Sequence, residues 1–284
     1  MSTPAPDRLP ADPTGRRPHP ARAVAEVAHP PALDGTRPEP TARGALPRSG
    51  APRAPRRLDP VCLRDVLLFA LAVATGAIDA VSWLALGQVF STFMTGNLVF
   101  IGIRAGGADG PDVPRALVAL AAFGVGAFLA ARIVRGASRP PAVVWPSRVT
   151  AALATALVAE LAFLAVWTVV GGRPSTPTAD ALIAMSGVAM GIQTVAVFSL
   201  GLRAIFTTAA TATFSVLVGD LTGWQQPSGE RLRLASILVG LLIGAGLGAA
   251  LVVHARSWAA VFPVAVTALV VATATVAFRR AGPD

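Results

Sequence analysis

Apolar positions along this 284-residue chain gather into long blocks, all of them beyond Val61. The blocks run near Val66 to Leu86, Val89 to Ala105, Arg115 to Val134, Val149 to Val170, Asp180 to Leu200, Ile205 to Thr222, Leu232 to His254 and Ala259 to Phe278. A helix that crosses a bilayer needs about twenty predominantly apolar residues, and most blocks meet that length. The second and sixth are shorter, carry several Thr, Ser, Gly or Asn residues, and follow their predecessors after only a few residues. The pattern predicts an all-α, polytopic membrane bundle.

The pattern also repeats, with Asp79 matching Gln193 and Gly87 matching Gly201 at a separation of 114 residues. Thr95 matches Thr211 and Asn97 matches Thr213 at 116, so a two-residue insertion separates the pairs. The Gly124 and Gly126 pair falls against Gly244 and Gly246. Each half then reads as a long block, a short block, a glycine-striped block and a long block. Repeat one covers about residues 61–171 and repeat two about 178–280.

Topology turns on the two short blocks. If all eight blocks cross, the halves are parallel repeats, and Arg135, Arg139 and Arg148 lie outside, against the tendency of cytoplasmic loops to be Arg-rich. If the short blocks are re-entrant, six helices span and the halves are inverted. The basic N-terminal segment, the loop from Arg132 to Arg148, Arg203, Arg231, Arg233, Arg279 and Arg280 then fall inside. Arg104, Arg115, Arg173 and Arg256 fall outside. Six spanning helices with two re-entrant segments is the expected arrangement, and eight full crossings the alternative. Irregular backbone at membrane depth is tolerated where it lines a polar cavity or is buried in protein.

Composition adds two points. Charged residues are only 14% of the chain, whereas residues 1–60 hold fourteen of the 24 prolines and ten arginines with no apolar run long enough to bury. That stretch is expected to be a disordered Pro/Arg-rich cytoplasmic tail, and 61–284 the membrane domain. Near Met1 there is no short apolar stretch of the signal-peptide type, so the first block is expected to act as an uncleaved anchor. The tail arginines are read as topogenic charge, in preference to headgroup binding or nonspecific nucleic-acid contact. The single Cys62 allows neither an intrachain disulfide nor a Cys-rich metal site.

One window is distinctive, running from Gly76 through Asp79-Ala80, Ser82, Trp83, Leu86-Gly87 and Phe90 to Met94-Thr95-Gly96-Asn97. Together with Gly191-Ile192-Gln193, it resembles the YoaK-like family of uncharacterised bacterial integral membrane proteins. Thr194 stands where that family commonly has Asn, and Ala212 replaces the Gly of a second Thr-Gly pair. The resemblance covers roughly Leu63 to the C-terminus. It implies an integral membrane protein of unknown activity, and the cytoplasmic membrane is the expected location.

Candidate chemistry therefore rests on polar residues inside apolar blocks. An ionised Asp79 within a helix costs several kcal/mol unless it meets water or a partner. Ser82 shares its face at i+3, and an inverted pair of helices is expected to bring Asp79 toward Gln193. Thr95, Gly96 and Asn97, with Thr207, Thr208, Thr211 and Thr213 opposite, offer hydroxyl, amide and backbone groups to a passing solute. Each has a plainer reading as interhelical glue or as helix-satisfied hydroxyls. Glu160, without an acidic counterpart in the eighth block, is a candidate proton or cation site or a structural hydrogen-bond partner. The glycine stripes are read as helix packing.

Three functional classes compete. The first is a channel or transporter for a small solute or ion; the second, a noncatalytic membrane scaffold. The third, an intramembrane enzyme built on Ser186-Gly187 and His254, is set aside because a lone Ser-Gly is common and His254 lies at a block end. No nucleotide loop, metal-ligand spacing or cofactor signature is present, so no cofactor is expected. The expected partners are the lipid bilayer and an unknown small solute or ion, with no specific nucleic acid and homo-oligomerisation left open. Both termini are expected in the cytoplasm.

Overall fold

A computed structural model describes residues 59–135, 144–202, 214–215, 217–219 and 228–278, all within Pro55–Asp284. Its helices are α1 (Pro60–Ala85), α2 (Met94–Ala105), α3 (Val113–Val134), α4 (Ser147–Val169), α5 (Thr176–Phe198), α6 (Ser228–His254) and α7 (Val261–Phe278). A 3-10 turn at Arg256–Trp258 leads into α7. Among the described residues, six helical spans are long and apolar enough to cross a membrane; α2 is not one of them. At 1.5 Å per residue its 12 residues reach about 18 Å, against a hydrocarbon core of about 30 Å.

Helix α1 begins at Pro60, ahead of the apolar block. The Asp59 carboxylate accepts from Val61 N at 3.1 Å and Pro60 occupies the first turn, where its missing N–H is no loss. Arg64 donates through Nε and Nη2 to Asp65 Oδ1 at 2.9 and 2.8 Å, so these polar residues neutralise one another at the helix entrance. The predicted second block is shortened by the same logic of local partners. Residues 86–93 form a loop, and helix resumes only at Met94.

Glycines terminate the first helix of each repeat. Gly87 has φ of 101° and Gly201 has φ of 59°, a left-handed backbone that residues with a side chain adopt at a cost. The two stand at equivalent places after α1 and α5, as their 114-residue separation predicts.

Contacts between helix ends set the topology. Gly87, after α1, lies against the Arg115 side chain at the start of α3. Arg115 Nε in turn donates to Asp180 Oδ1 near the start of α5 at 3.0 Å. Trp167, near the end of α4, donates from Nε1 to Arg256 O at 3.0 Å, and Arg256 Nε donates to Gly172 O at 2.7 Å. All these ends share one face. At the other face, Trp145 before α4 stacks on Phe278 at the end of α7, centroids 5.6 Å apart. Leu67 of α1, Leu200 after α5 and Leu234 of α6 join Trp145 in one buried cluster.

The helices α1, α3, α4, α5, α6 and α7 therefore alternate in direction. The first short block leaves and rejoins one face, whereas α5 ends and α6 begins toward the opposite face. Full crossing of all eight blocks is excluded for the first short block. Its second-repeat counterpart falls largely outside the described residues, as do residues 1–58, Arg139, Arg203, Thr207, Thr208, Thr211, Thr213, Asp220, Arg279 and Arg280.

Close packing follows the repeat. A Cβ on Gly244 of α6 would overlap Val73 O of α1, and one on Gly126 of α3 would overlap Val188 O of α5. Reciprocally, Gly76 of α1 abuts Leu241 O of α6 and Gly191 of α5 abuts Phe123 O of α3. The pairs α1/α6 and α3/α5 thus use the same small-residue contact, which lets backbones approach in a solvent that offers no hydrophobic drive between helices. Gly124 and Gly246 face open space, so the structural match is Gly126 with Gly244, and the sequence alignment of the stripes was out of register by two residues. Outward faces carry Val125, Phe128, Val158, Leu242, Val253 and Leu269, all exposed, as lipid contact requires.

Candidate functional site

The loop after α1 turns back toward the bundle interior. Ser91 N and Thr92 N donate to Asp79 Oδ1 at 2.9 and 3.0 Å, and Thr92 Oγ1 donates to Asp79 Oδ2. Asp79 lies six residues before Ala85, so the chain has returned about 9 Å below the helix end when it reaches Ser91. Backbone N–H groups at that depth would otherwise go unpaired, at several kcal/mol each in hydrocarbon. The half-buried carboxylate of Asp79 satisfies two of them together with one hydroxyl.

Asn97 secures the same loop. Its Oδ1 accepts from Phe90 N at 3.0 Å and its Nδ2 donates to Phe90 O at 2.7 Å, so the buried amide closes a two-bond clasp on one residue. Phe90 stacks on Trp83 at 4.9 Å and meets Phe93 edge-on at 5.4 Å. Gly96 is required beneath these rings, since a Cβ there would come within 2.6 Å of Phe93 Cδ1. The Met94-Thr95-Gly96-Asn97 motif is thus a loop-building device. Thr95 itself is exposed and stands apart from the buried groups.

Ser82, fully buried, pairs with Ser91 Oγ at 2.6 Å, and Ser91 Oγ pairs with Ser186 Oγ of α5 at 2.7 Å. Ser186 also contacts Ile183 O at 3.1 Å as donor. A hydroxyl chain therefore ties α1, the returning loop and α5 together. Lower in the bundle, Gln193 Nε2 donates to Thr75 Oγ1 at 2.8 Å, both residues fully buried.

The expected approach of Asp79 to Gln193 does not occur. Helices α1 and α5 run antiparallel, with Ser82 level with Ser186 and Thr75 level with Gln193, which sets Asp79 opposite Ala189. Repeat mates cross near Ala77 and Gly191, and positions beyond the crossing move apart. Asp79 lies four residues from Thr75, about 6 Å along the axis from the level of Gln193.

Glu160 of α4 is buried among α1, α5 and α7. Its Oε1 accepts from Thr267 Oγ1 at 3.2 Å, while Oε2 has no hydrogen-bond partner among the described residues. Beside it lies an internal cavity of about 10 Å³, lined by Glu160, Ser186, Ala74, Ile78, Phe163 and Met190 among others. No group of three or more His, Cys, Asp or Glu able to hold a metal occurs among the described residues.

Sequence reasoning singled out Asp79, Ser82, Gln193 and Glu160, and each proves to be engaged inside the bundle. It overlooked Ser91, Thr92, Thr75 and Thr267, and weighed Ser186 only as a weak nucleophile. Ser91 and Thr92 sit directly before the recognised motif, so their proximity to it was the available signal. The other partners are remote in sequence.

These features define a multi-pass all-α membrane protein of six spanning helices in two inverted halves, with a polar loop anchored inside the first. A family model described as "Protein of unknown function (DUF1275)" matches residues 67–273, and the chain belongs to that family. It is 34% identical over 160 residues to the UPF0700 transmembrane protein YoaK of Bacillus subtilis (strain 168), covering 56% of this chain and 68% of that protein. No solved structure matches the chain.

Proposed function

We propose that this protein moves a small solute or an ion across the membrane, using the short segment that returns into the bundle after α1. The observation that carries this reading is the return of residues 86–92 to the depth of Asp79. Non-helical backbone at that depth is the device by which inverted-repeat transporters build binding sites. Asp79, Ser82 and Gln193 supply interior polarity on the two mated helices. In this reading the protein lies in the cytoplasmic membrane with both chain ends in the cytoplasm. Arg64, Arg132, Arg135, Arg148 and Arg233 cluster toward the face where α1 begins, whereas Arg104, Arg115, Arg173 and Arg256 lie toward the other, which supports that orientation. The reading is of a non-enzymatic activity, which is supported by the engagement of the Ser186 hydroxyl with Ser91 and Ile183 O and by the place of the exposed His254 at the end of α6.

Flux of candidate ions and small solutes into vesicles containing the purified full chain should exceed that of protein-free vesicles, and Asp79→Asn should reduce it. Flux never above the protein-free level would sink the reading. A noncatalytic scaffold is the second reading, favoured by the complete use of the Asn97 amide on Phe90. It predicts that Asp79→Asn and Asn97→Ala are functionally silent while removal of residues 1–58 abolishes function.

A further inference from the structure

Among the described residues Glu160 Oε2 and Gln193 Oε1 are both buried without a hydrogen-bond partner, and of the two it is Glu160 that lines an internal cavity. Buried polar groups are normally satisfied, and an orphan beside a cavity marks a place for a small donor. The volume of about 10 Å³ accommodates roughly one water molecule. Its two polar lining residues are Glu160 and Ser186. Ser186 donates to Ile183 O, so what its hydroxyl has left for the cavity is acceptor capacity. Both groups call for a hydrogen-bond donor. A metal cation of the calcium type takes 6–8 oxygens, far more than this lining provides.

We propose that Glu160 is a proton-binding site that exchanges with water in this cavity and communicates with the returning loop through Ser186, Ser91 and Ser82. The proposal rests on the transport reading and names the proton as its coupling ion. On release, the O–H bond at the Glu160 carboxyl breaks, the proton passes to the cavity water as hydronium, and a carboxylate remains; uptake is the reverse. Among the described residues, Ser186 is the hydroxyl-bearing residue of the lining, and its link to Ser91 at 2.7 Å continues to Ser82 at 2.6 Å. With Ser186 donating to Ile183 O, Ser91 donates to Ser186 and Ser82 to Ser91, so a change at the cavity that draws the Ser186 proton away from Ile183 O can reverse the direction of the chain. Ser91 is also held through its N–H by Asp79, so the same residue carries the signal to the loop.

Among the described residues, no other titratable group competes at this place. Helix α7 carries none, Asp180 of α5 is engaged by Arg115 of α3 near the helix starts, and Arg132 of α3 lies over Phe128. On α1, Asp79 is taken by Ser91 and Thr92 and Arg64 by Asp65, while Arg148 of α4 donates to Arg135 O.

The test is infrared difference spectroscopy of the full chain in phosphatidylethanolamine and phosphatidylglycerol vesicles, stepping pH through the range where the protein stays folded. The expected result is a protonated-carboxyl C=O band that titrates, vanishes completely in Glu160→Gln, and persists in Asp79→Asn. In Thr267→Val the band should shift in frequency, which keeps the test available if the Gln variant does not fold. A wild-type protein without a titrating band, a band that survives Glu160→Gln, or one unmoved by Thr267→Val overturns the proposal. A Glu160 band without solute flux upholds the proton site and removes the transport reading; flux without the band does the reverse.

Discussion

Asp79 Oδ1 accepts the backbone N–H of Ser91 at 2.9 Å across twelve residues of sequence, and this bond holds a non-helical segment inside a helical bundle. With Thr92 donating through both its N–H and its hydroxyl, the carboxylate meets three donors. Hydrogen bonds to a charged group contribute about 1.5–3 kcal/mol each.

Replacing Asp79 separates shape from hydrogen-bonding capacity. Asp79→Ala leaves two backbone N–H groups unpaired and should destabilise the protein by about 3–5 kcal/mol, a cost of the order seen when a buried polar partner is removed. Asp79→Asn retains an acceptor oxygen for both N–H groups and should cost about 1–2 kcal/mol. Thermal unfolding in detergent, followed by circular dichroism, checks the order; equal losses would contradict the anchoring role.

The interhelical contact of Thr75 and Gln193 should behave as a coupled pair. Either Thr75→Val or Gln193→Leu alone should cost about 1 kcal/mol, in line with hydrogen bonds between membrane helices. The double variant should be less destabilised than the sum of the two, since neither partner is left waiting. A double-mutant cycle measures the difference, and strict additivity would mean that the 2.8 Å contact contributes nothing.

Glycine substitutions provide an internal control. Gly126→Ala and Gly244→Ala press a methyl into the backbone carbonyls of Val188 and Val73, and should each cost about 1–3 kcal/mol as overpacking. Gly124→Ala and Gly246→Ala meet open space and should be neutral or slightly stabilising. Unfolding temperatures of the four variants should fall into two pairs.

Topology is checked with single cysteines on a Cys62→Ala background and membrane-impermeant thiol reagents. Cysteines at Gly107 and Ser175 should label from one side of the membrane, and those at Ser199 and Arg148 from the other. Within the loop, a cysteine at Phe93 should label from the Gly107 side or remain protected. Labelling of Phe93 from the Ser199 side would mean that the first short block crosses.

Much of the architecture was legible in the chain. Block length marks Val89–Ala105 as short without deciding whether it crosses; its 12-residue helix, shorter than the hydrocarbon core, decides that it does not. Arginine placement and the 114-residue repeat pointed to inverted halves, and Gly87 and Gly201 mark matching helix ends because both need left-handed backbone. The start of α1 was misjudged at Val66, since hydropathy does not register the Asp59 cap or the mutual neutralisation of Arg64 and Asp65.

The chain by itself determined which segments are apolar enough to enter lipid and which polar residues must find partners there, because transfer into hydrocarbon is decided residue by residue along a helix. Which partners they find was decided only by tertiary structure. Asp79 and Gln193 share a repeat position, yet antiparallel helices carry such mates apart on either side of a single crossing. Asp79 thus turns to Ser91 and Thr92, Gln193 to Thr75 and Glu160 to Thr267. Hydrogen bonds require approach within about 3 Å, and helix rotation and register set that distance, whereas hydropathy depends on neither.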